Sequence, residues 1–319
     1  MLHSFKIHLL EAKTGDSFIV ECGNIGIIVD GGTRSVAKIL KRYLKSANFV
    51  QLRAIFVSHV DRDHVGGIVK LFSHFSQYVP KSVQIYMNHP ELAHAISDES
   101  GLVTYEDGND LKSILDAYDY NLEQVVSGQK IDICDVGVKI LSPEKLLLTS
   151  LYQKWEKHDE GLVCSDPIDV DCSVIPKEPI TSLKDDIVNA SSLSFILSYM
   201  NESILFLSDS LPETINARLE KKQKFNIVKV SHHGSKNNTS MELLKKVVCN
   251  KFIISTNGPR SYGHPHAETI VRLIHSCIYH GFSDCNIYFN YEKVKDRIVL
   301  RNVPKCVNVN LIYSKSINV

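Results

Sequence analysis

AIFVSHVDRDHVGGI, from Ala54 to Ile68, decides how the remaining sequence is read. The apolar run Ala54-Ile55-Phe56-Val57 gives way to His59, Asp61, Asp63 and His64, and the Gly66-Gly67 pair then opens a second apolar segment. This pattern predicts a buried strand, a ligand-bearing turn and the start of a helix behind it. Two imidazoles and two carboxylates spaced this closely would desolvate and repel one another in a protein interior unless a cation lay among them. A divalent ion removes that conflict. Imidazole nitrogen and carboxylate oxygen are the donors that zinc, manganese and iron take in hydrolytic sites, and a mixed set suits two adjacent ions.

Upstream of the motif, residues 4–10 alternate as a strand, and Thr14-Gly15-Asp16-Ser17 reads as a turn into Phe18–Cys22. Gly15 and Asp16 are expected there as turn formers. Ile25–Val29 forms the next strand and ends in Asp30-Gly31-Gly32, and Val36–Leu44 has the apolar spacing of an amphipathic helix. Gln51–Ser58 is the central strand and Val65–Phe75 the helix after the motif, with His74 on its surface. Beyond it come a strand at Ser82–Met87, a helix at Leu111–Tyr120 and a hairpin at Lys130–Leu141. His89 and His94 follow a strand end, but no motif surrounds either.

From about 142 to 186 the periodicity dissolves among Pro143, Pro167, Pro176 and Pro179, which predicts a long irregular insertion. The second half repeats the logic of the first. A hairpin of Leu193–Tyr199 and Ser203–Leu207 delivers Ser208-Asp209-Ser210, and the apolar strand Phe225–Ser231 runs into His232-His233-Gly234-Ser235-Lys236. Neighbouring residues at a strand end point to opposite sides, so one of the two histidines is expected to ligate a metal and the other to face away from it. Lys236 is a candidate phosphate partner as a mobile point charge. A helix at Met241–Val248 and a strand at Phe252–Ser255 lead to Tyr262-Gly263-His264-Pro265-His266, and short strands at Ile287–Asn290 and Arg297–Leu300 follow.

Composition bounds the function classes. The chain has 319 residues, 44% hydrophobic and 23% charged, the range of globular proteins. Its 36 basic and 36 acidic residues cancel, which argues against bulk electrostatic capture of long nucleic acid. Eight cysteines without a CxxC pair read as reduced thiols, and with no leader pattern and no long apolar window they predict a cytoplasmic protein that spans no membrane.

Ser58 to Gly67 resembles, at every fixed position, the Ser-His-x-Asp-x-Asp-His-x-Gly-Gly pattern of the soluble metallo-β-lactamase domain of ComEC-type competence proteins. The usual metallo-β-lactamase signature, His-x-His-x-Asp-His, has a histidine where Asp61 stands. Asp16-Ser17, Asp30-Gly31-Gly32, Asp209, His232-His233-Gly234 and Tyr262 to His266 are similar to the family's other pieces, in the same order. Ser208 replaces a glycine, and Asn189, Ser192 and Leu193 stand where lactamases carry a further histidine.

The resemblance implies an α/β fold, a metallo-β-lactamase-type αββα four-layer sandwich, formed by residues 1–319 as one domain with the insertion at about 142–186. It implies two divalent metal ions, zinc or manganese with magnesium also suited to the oxygen-rich set. Asp209 would bridge them, His59 and Asp61 would bind one, and Asp63, His64 and His233 the other, with Asp30 holding a ligand histidine. A water acidified by the ions would attack, and His264 or His232 would complete the proton transfer. The expected activity is hydrolysis of phosphodiesters, with nucleic acid or a small phosphodiester as substrate; β-lactams are disfavoured by the two departures from the lactamase ligands. The alternative is a metal-binding subunit of a multi-protein system that acts only with protein partners.

Overall fold

The computed structural model describes residues 4–46, 51–89, 106–152, 166–181, 187–219, 221–259 and 263–319. Among these residues two large sheets lie face to face. The first has seven strands in the order Ser316–Asn318, Phe5–Leu9, Phe18–Cys22, Ile25–Val29, Gln51–Phe56, Gln84–Tyr86 and Asn121–Glu123. The second has eight, in the order Asn308–Tyr313, Asp284–Phe289, Lys251–Ile254, Ile227–Lys229, Glu202–Phe206, Ser194–Tyr199, Val136–Ser142 and Lys130–Ile133. Each sheet joins an antiparallel part to a parallel part. The parallel strands are Ile25–Val29 through Asn121–Glu123 in the first and Glu202–Phe206 through Asn308–Tyr313 in the second.

Strand alternation sorts the side chains into three cores, and these define four layers. Ile27, Val29, Ala54 and Phe56 point between the sheets, where they meet Phe195, Phe206, Ile227 and Ile253 of the second. Their neighbours Ile28 and Ile55 point the other way, onto Leu40 of the helix Ala37–Lys45 and Val65, Ile68 and Phe72 of the helix Arg62–Phe75. On the far side, Leu205, Val228 and Phe252 pack against Leu243 and Leu244 of the helix Met241–Lys246 and Ile270, Leu273 and Ile274 of the helix Ala267–Tyr279. Covering on both faces explains why IGIIV and AIFV carry no polar alternation. The middle layer is tied by stacked rings: Phe195 lies 4.8 Å from Phe56 and 5.0 Å from Phe206, and burying each such ring contributes about 1.5 to 3 kcal/mol.

The stretch expected to be an irregular insertion carries more order than its sequence suggests. Lys145–Tyr152 is a helix that buries Leu148 and Leu151, and Ile168–Asp171 is a strand paired in parallel with Ile298–Arg301. In that strand only Val170 is fully buried, and the flanking aspartates hid the alternation. The strands Asn308–Tyr313 and Ser316–Asn318 were likewise unforeseen. No helix among the described residues is long and apolar enough to cross a membrane. His94 and Tyr262 lie outside the described residues.

Candidate metal centre

The motif sits where the central strand Gln51–Phe56 stops and the helix Arg62–Phe75 begins, three residues earlier than the sequence predicts. Asp61 is the N-cap residue of this helix, but its carboxylate makes no capping bond and is left for the site. Asp63 and His64 fall in the first turn. The helix reaches this place by lying directly on the Asp30-Gly31-Gly32 turn: Gly31 N donates to His64 O at 2.7 Å and Gly67 N to Gly32 O at 2.8 Å. A Cβ on Gly67 would stand 1.9 Å from the carbonyl oxygen of Gly31. Gly67→Ala is therefore expected to destabilise the protein by about 2 to 3 kcal/mol, because neither backbone can retreat. A urea-unfolding midpoint unchanged from the parent would contradict this contact.

Strand ends of both sheets converge on this point, the usual location of sites at the carboxyl ends of parallel strands. The second sheet contributes Asp209 after Glu202–Phe206, His232 and His233 after Ile227–Lys229, and Ser255 after Lys251–Ile254. Asp209 is the hub. Its Oδ2 lies 3.4 Å from His233 Nε2, 3.5 Å from His64 Nε2, 3.8 Å from His232 Nε2 and 4.0 Å from His59 Nε2.

The other nitrogen of each ring is tied down. His64 Nδ1 bonds Asp30 Oδ2 at 3.0 Å, and His233 Nδ1 donates to the Ser255 carbonyl at 2.9 Å. Ser58 Oγ donates to Asp30 Oδ2 and so accepts from His59 Nδ1 at 2.9 Å. Asn238 Nδ2 donates to Asp209 O, which turns Asn238 Oδ1 toward His232 Nδ1 at 3.1 Å. With each Nδ1 proton fixed outward, the Nε2 atoms are presented inward, the arrangement that orients imidazoles on a metal.

The two carboxylates at the mouth sort with different rings. Asp61 Oδ2 is 3.5 Å from His59 Nε2, whereas Asp63 Oδ2 is 4.0 Å from His233 Nε2. Asp16 Oδ1, His59 Nε2 and Asp209 Oδ1 are buried without a hydrogen bond among the described residues. Such atoms are costly unless a further group meets them. Ligand atoms of Asp16, His64, Asp209 and His233 all fall within 4.8 Å of one another, so this donor set fits a divalent ion.

Charge inside the cluster is strongly coupled. Burial opposes ionisation of Asp209, but His233, His64 and His232 override it and hold its pKa well below the ordinary carboxylate value. Burial also works against charge on His233, yet Asp209 and Asp16 push its pKa up to about 10, and Asp209 and Asp30 raise His64 in the same way. Metal binding at these rings would therefore compete with their protonation.

Of the residues singled out by sequence, His59, His64, Asp209 and His233 form the buried centre, with Asp61 and Asp63 at its mouth. His232 and His233 do not alternate as strand residues would. They occupy a tight turn with φ of 45° and 55°, and both rings face Asp209. Ser208 also has a left-handed φ of 46°, the conformation that favours glycine, and its Oγ donates to Leu193 O at 2.6 Å. His264 meets His232 edge to face, with ring centroids 5.2 Å apart. Burial and the charges of His232, His233 and His266 hold its pKa well below the ordinary histidine value, so it suits hydrogen bonding to a substrate better than proton donation. Lys236 is not drawn into the cluster: half exposed, it pairs with Glu268 at 3.5 Å. His74 and His89 bond Ser73 and Asn109 instead.

Two residues of the centre escaped the sequence reading. Gly15 packs against the backbone of Asp63, which carries the next residue, Asp16, into the cluster, where it is fully buried and ion-paired with Lys229. Lys229, a lone charge in the apolar strand FNIVKVS, was the available signal.

No family model matches the chain. Among known proteins it is similar to ComE operon protein 3 of Bacillus subtilis, 23% identical over an alignment of 291 positions that covers 84% of this chain. The chain spans about 30% of that protein's length. Among solved structures it is similar to the metallo-β-lactamase fold protein YhfI from Bacillus subtilis (9% identity, 98% of this chain and 97% of that chain, TM-score 0.49). It is also similar to Zn(2+)-bound PqqB from Methylobacterium extorquens (9% identity, 98% and 100%, TM-score 0.49). The paired sheets faced by helices, with the His/Asp motif at the strand ends between them, have the four-layer αββα arrangement that the resemblance to the metallo-β-lactamase fold implies.

Proposed function

We propose that this protein is a metal-dependent hydrolase of phosphodiesters. The observation that carries the reading is the convergence of four Nε2 atoms on one oxygen of Asp209, each ring held from behind through Nδ1. The proximity of Asp61 to His59 and of Asp63 to His233 supports a site in which these residues, with His64 and Asp209, would hold divalent ions. Bound zinc, manganese or magnesium would supply Lewis-acid charge and an acidified water.

The chain's own residues do the rest. Asp30 and Ser58 hold His64 and His59 in place. His232, fixed by Asn238, can move a proton at Nε2 beside Asp209. His264 presents a neutral ring to the substrate, and Lys236 stands at the surface as a peripheral charge. Phosphodiesters are favoured because two carboxylates at the mouth make the donor set oxygen-rich, which suits hard ions and anionic phosphoryl oxygens. Nucleic acid and small phosphodiesters are both candidate substrates.

The test is hydrolysis by purified protein with manganese, magnesium or zinc on single-stranded DNA, duplex DNA, RNA and bis-p-nitrophenyl phosphate, beside the Asp63→Ala, His64→Ala double variant. Metal-dependent turnover that disappears in the variant is the expected result, and turnover of polymer against turnover of the small ester alone separates nuclease from small-molecule enzyme. A metal-loaded protein that cleaves none of these substrates would overturn the reading.

A further inference from the structure

We propose that Lys229 is a resident cation of this centre, a fixed ammonium that compensates Asp16 and Asp209 before any metal ion arrives and so allows the unloaded site to fold. The inference rests on the metal-centre reading, and not on the identity of the substrate.

Lysine is among the residues least often buried, because removing an ammonium from water is costly unless anions and acceptors meet it. Lys229 is only 1% exposed, between Val228 and Val230 on a parallel strand in the middle of the second sheet. Its stem cannot snorkel to the surface. The ammonium pairs with Asp16 Oδ2, donates to the backbone oxygen of Ser208 at 3.1 Å and stands 3.8 Å from Asp209 Oδ1. Oxygen atoms therefore surround it much as they would a small cation.

Asp209 consequently faces two ways. Oδ1 looks toward the ammonium, while Oδ2 looks toward the four imidazoles. The four imidazoles would be left to help hold a divalent ion, and Lys229 lies on the other side of the carboxylate from them. The ammonium is tethered to its strand and cannot be displaced, whereas a proton on an imidazole can.

The pairing with Ser208 O has a second effect: it holds the left-handed turn that delivers Asp209. Without Lys229, Asp16 and Asp209 are left to the imidazoles alone in a water-poor site. Folding then becomes dependent on metal, as it is for small domains whose ligands cannot be buried uncompensated.

Thermal unfolding of the full chain, in chelator and in excess manganese or zinc, tests this with Lys229→Met and Lys229→Gln. In chelator, Lys229→Met is expected to unfold about 10 °C below the parent, the loss that follows from stranding one partner of a buried ion pair. In excess metal most of that loss should be recovered, so the metal-induced shift exceeds the parent's. Lys229→Gln, which keeps a donor for Asp16 but no charge, should show the same pattern with a smaller loss.

Equal losses in chelator and in metal would mean that Lys229 only packs or hydrogen-bonds, and would overturn the proposal. So would a Lys229→Met protein as stable as the parent in chelator. If Lys229→Met does not fold in either condition, the Lys229→Gln comparison decides by the same criterion. A parent whose unfolding responds to neither metal would overturn the metal centre and this proposal together. A parent that is stabilised by metal but hydrolyses nothing would count only against the substrate reading.

Discussion

Asp209→Asn is expected to lower kcat/KM for a phosphodiester by about 10³-fold or more while leaving a folded protein, since removing a residue that organises Lewis-acid charge forfeits several kcal/mol of transition-state stabilisation. Asparagine keeps the shape of the side chain, so the packing beneath Ser208 and Ser210 is preserved. What disappears is the anion at the meeting point of His59, His64, His232 and His233. The amide presents at most one oxygen lone-pair face, and it brings N–H donors toward nitrogens that should be free to bind an ion. Steady-state kinetics beside metal content by elemental analysis checks this. A variant with full metal content and undiminished kcat/KM would remove Asp209 from the centre of the site.

Asp30→Ala should have the next largest effect although Asp30 is not itself expected to touch a metal. One carboxylate accepts from the Ser58 backbone N–H at 2.7 Å and from Ser58 Oγ at 2.7 Å, and it bonds His64 Nδ1 at 3.0 Å. Through Ser58 Oγ it also fixes His59. Two rings of the candidate centre therefore hang on one buried anion. Its removal leaves a buried amide and a buried imidazole without their partner, which costs about 3 to 5 kcal/mol. Metal affinity should fall by about 10- to 100-fold, the range for losing a group that orients a ligand. Denaturant unfolding and equilibrium dialysis read the two effects separately. Unchanged affinity in the folded variant would show that His59 and His64 hold their orientation without Asp30.

Half of the candidate centre was legible because its residues are neighbours in sequence. His59, Asp61, Asp63 and His64 crowd one strand-to-helix junction, and no apolar packing accounts for them. Asp209 and His233 stand at the ends of apolar strands, and it is the family resemblance that singles them out there. Asp16 was not legible, because Thr-Gly-Asp-Ser has the composition of any turn, and only three-dimensional contacts, the approach of Gly15 to Asp63 and the pairing of Asp16 with Lys229, place this turn in the site. Lys229 is a single charge inside an otherwise apolar strand, which does not by itself mark a site. The two histidines after that strand misled for the opposite reason: alternation holds only while the backbone stays extended, and both residues have left-handed φ. Core strands such as Ile25–Val29 were plain from their β-branched runs, whereas Ile168–Asp171 and Asn308–Tyr313 carry polar residues on an open face and read as loop.

The pairing of Phe5–Leu9 with Ser316–Asn318 bears on how the molecule is made. Lys6 lies opposite Asn318 and His8 opposite Ser316, so the outermost ladder of the first sheet joins residues separated by nearly the whole chain. Closing so long a loop carries an entropic cost before any contact rewards it, and topologies rich in such pairings fold slowly. During synthesis the strand Phe5–Leu9 can pair early with Phe18–Cys22, but its other edge waits unpaired until Ser316–Asn318 emerges. For that interval it presents an apolar edge of the kind other chains can add to, so the yield of folded protein should depend on translation rate and chaperone supply more than its final stability does.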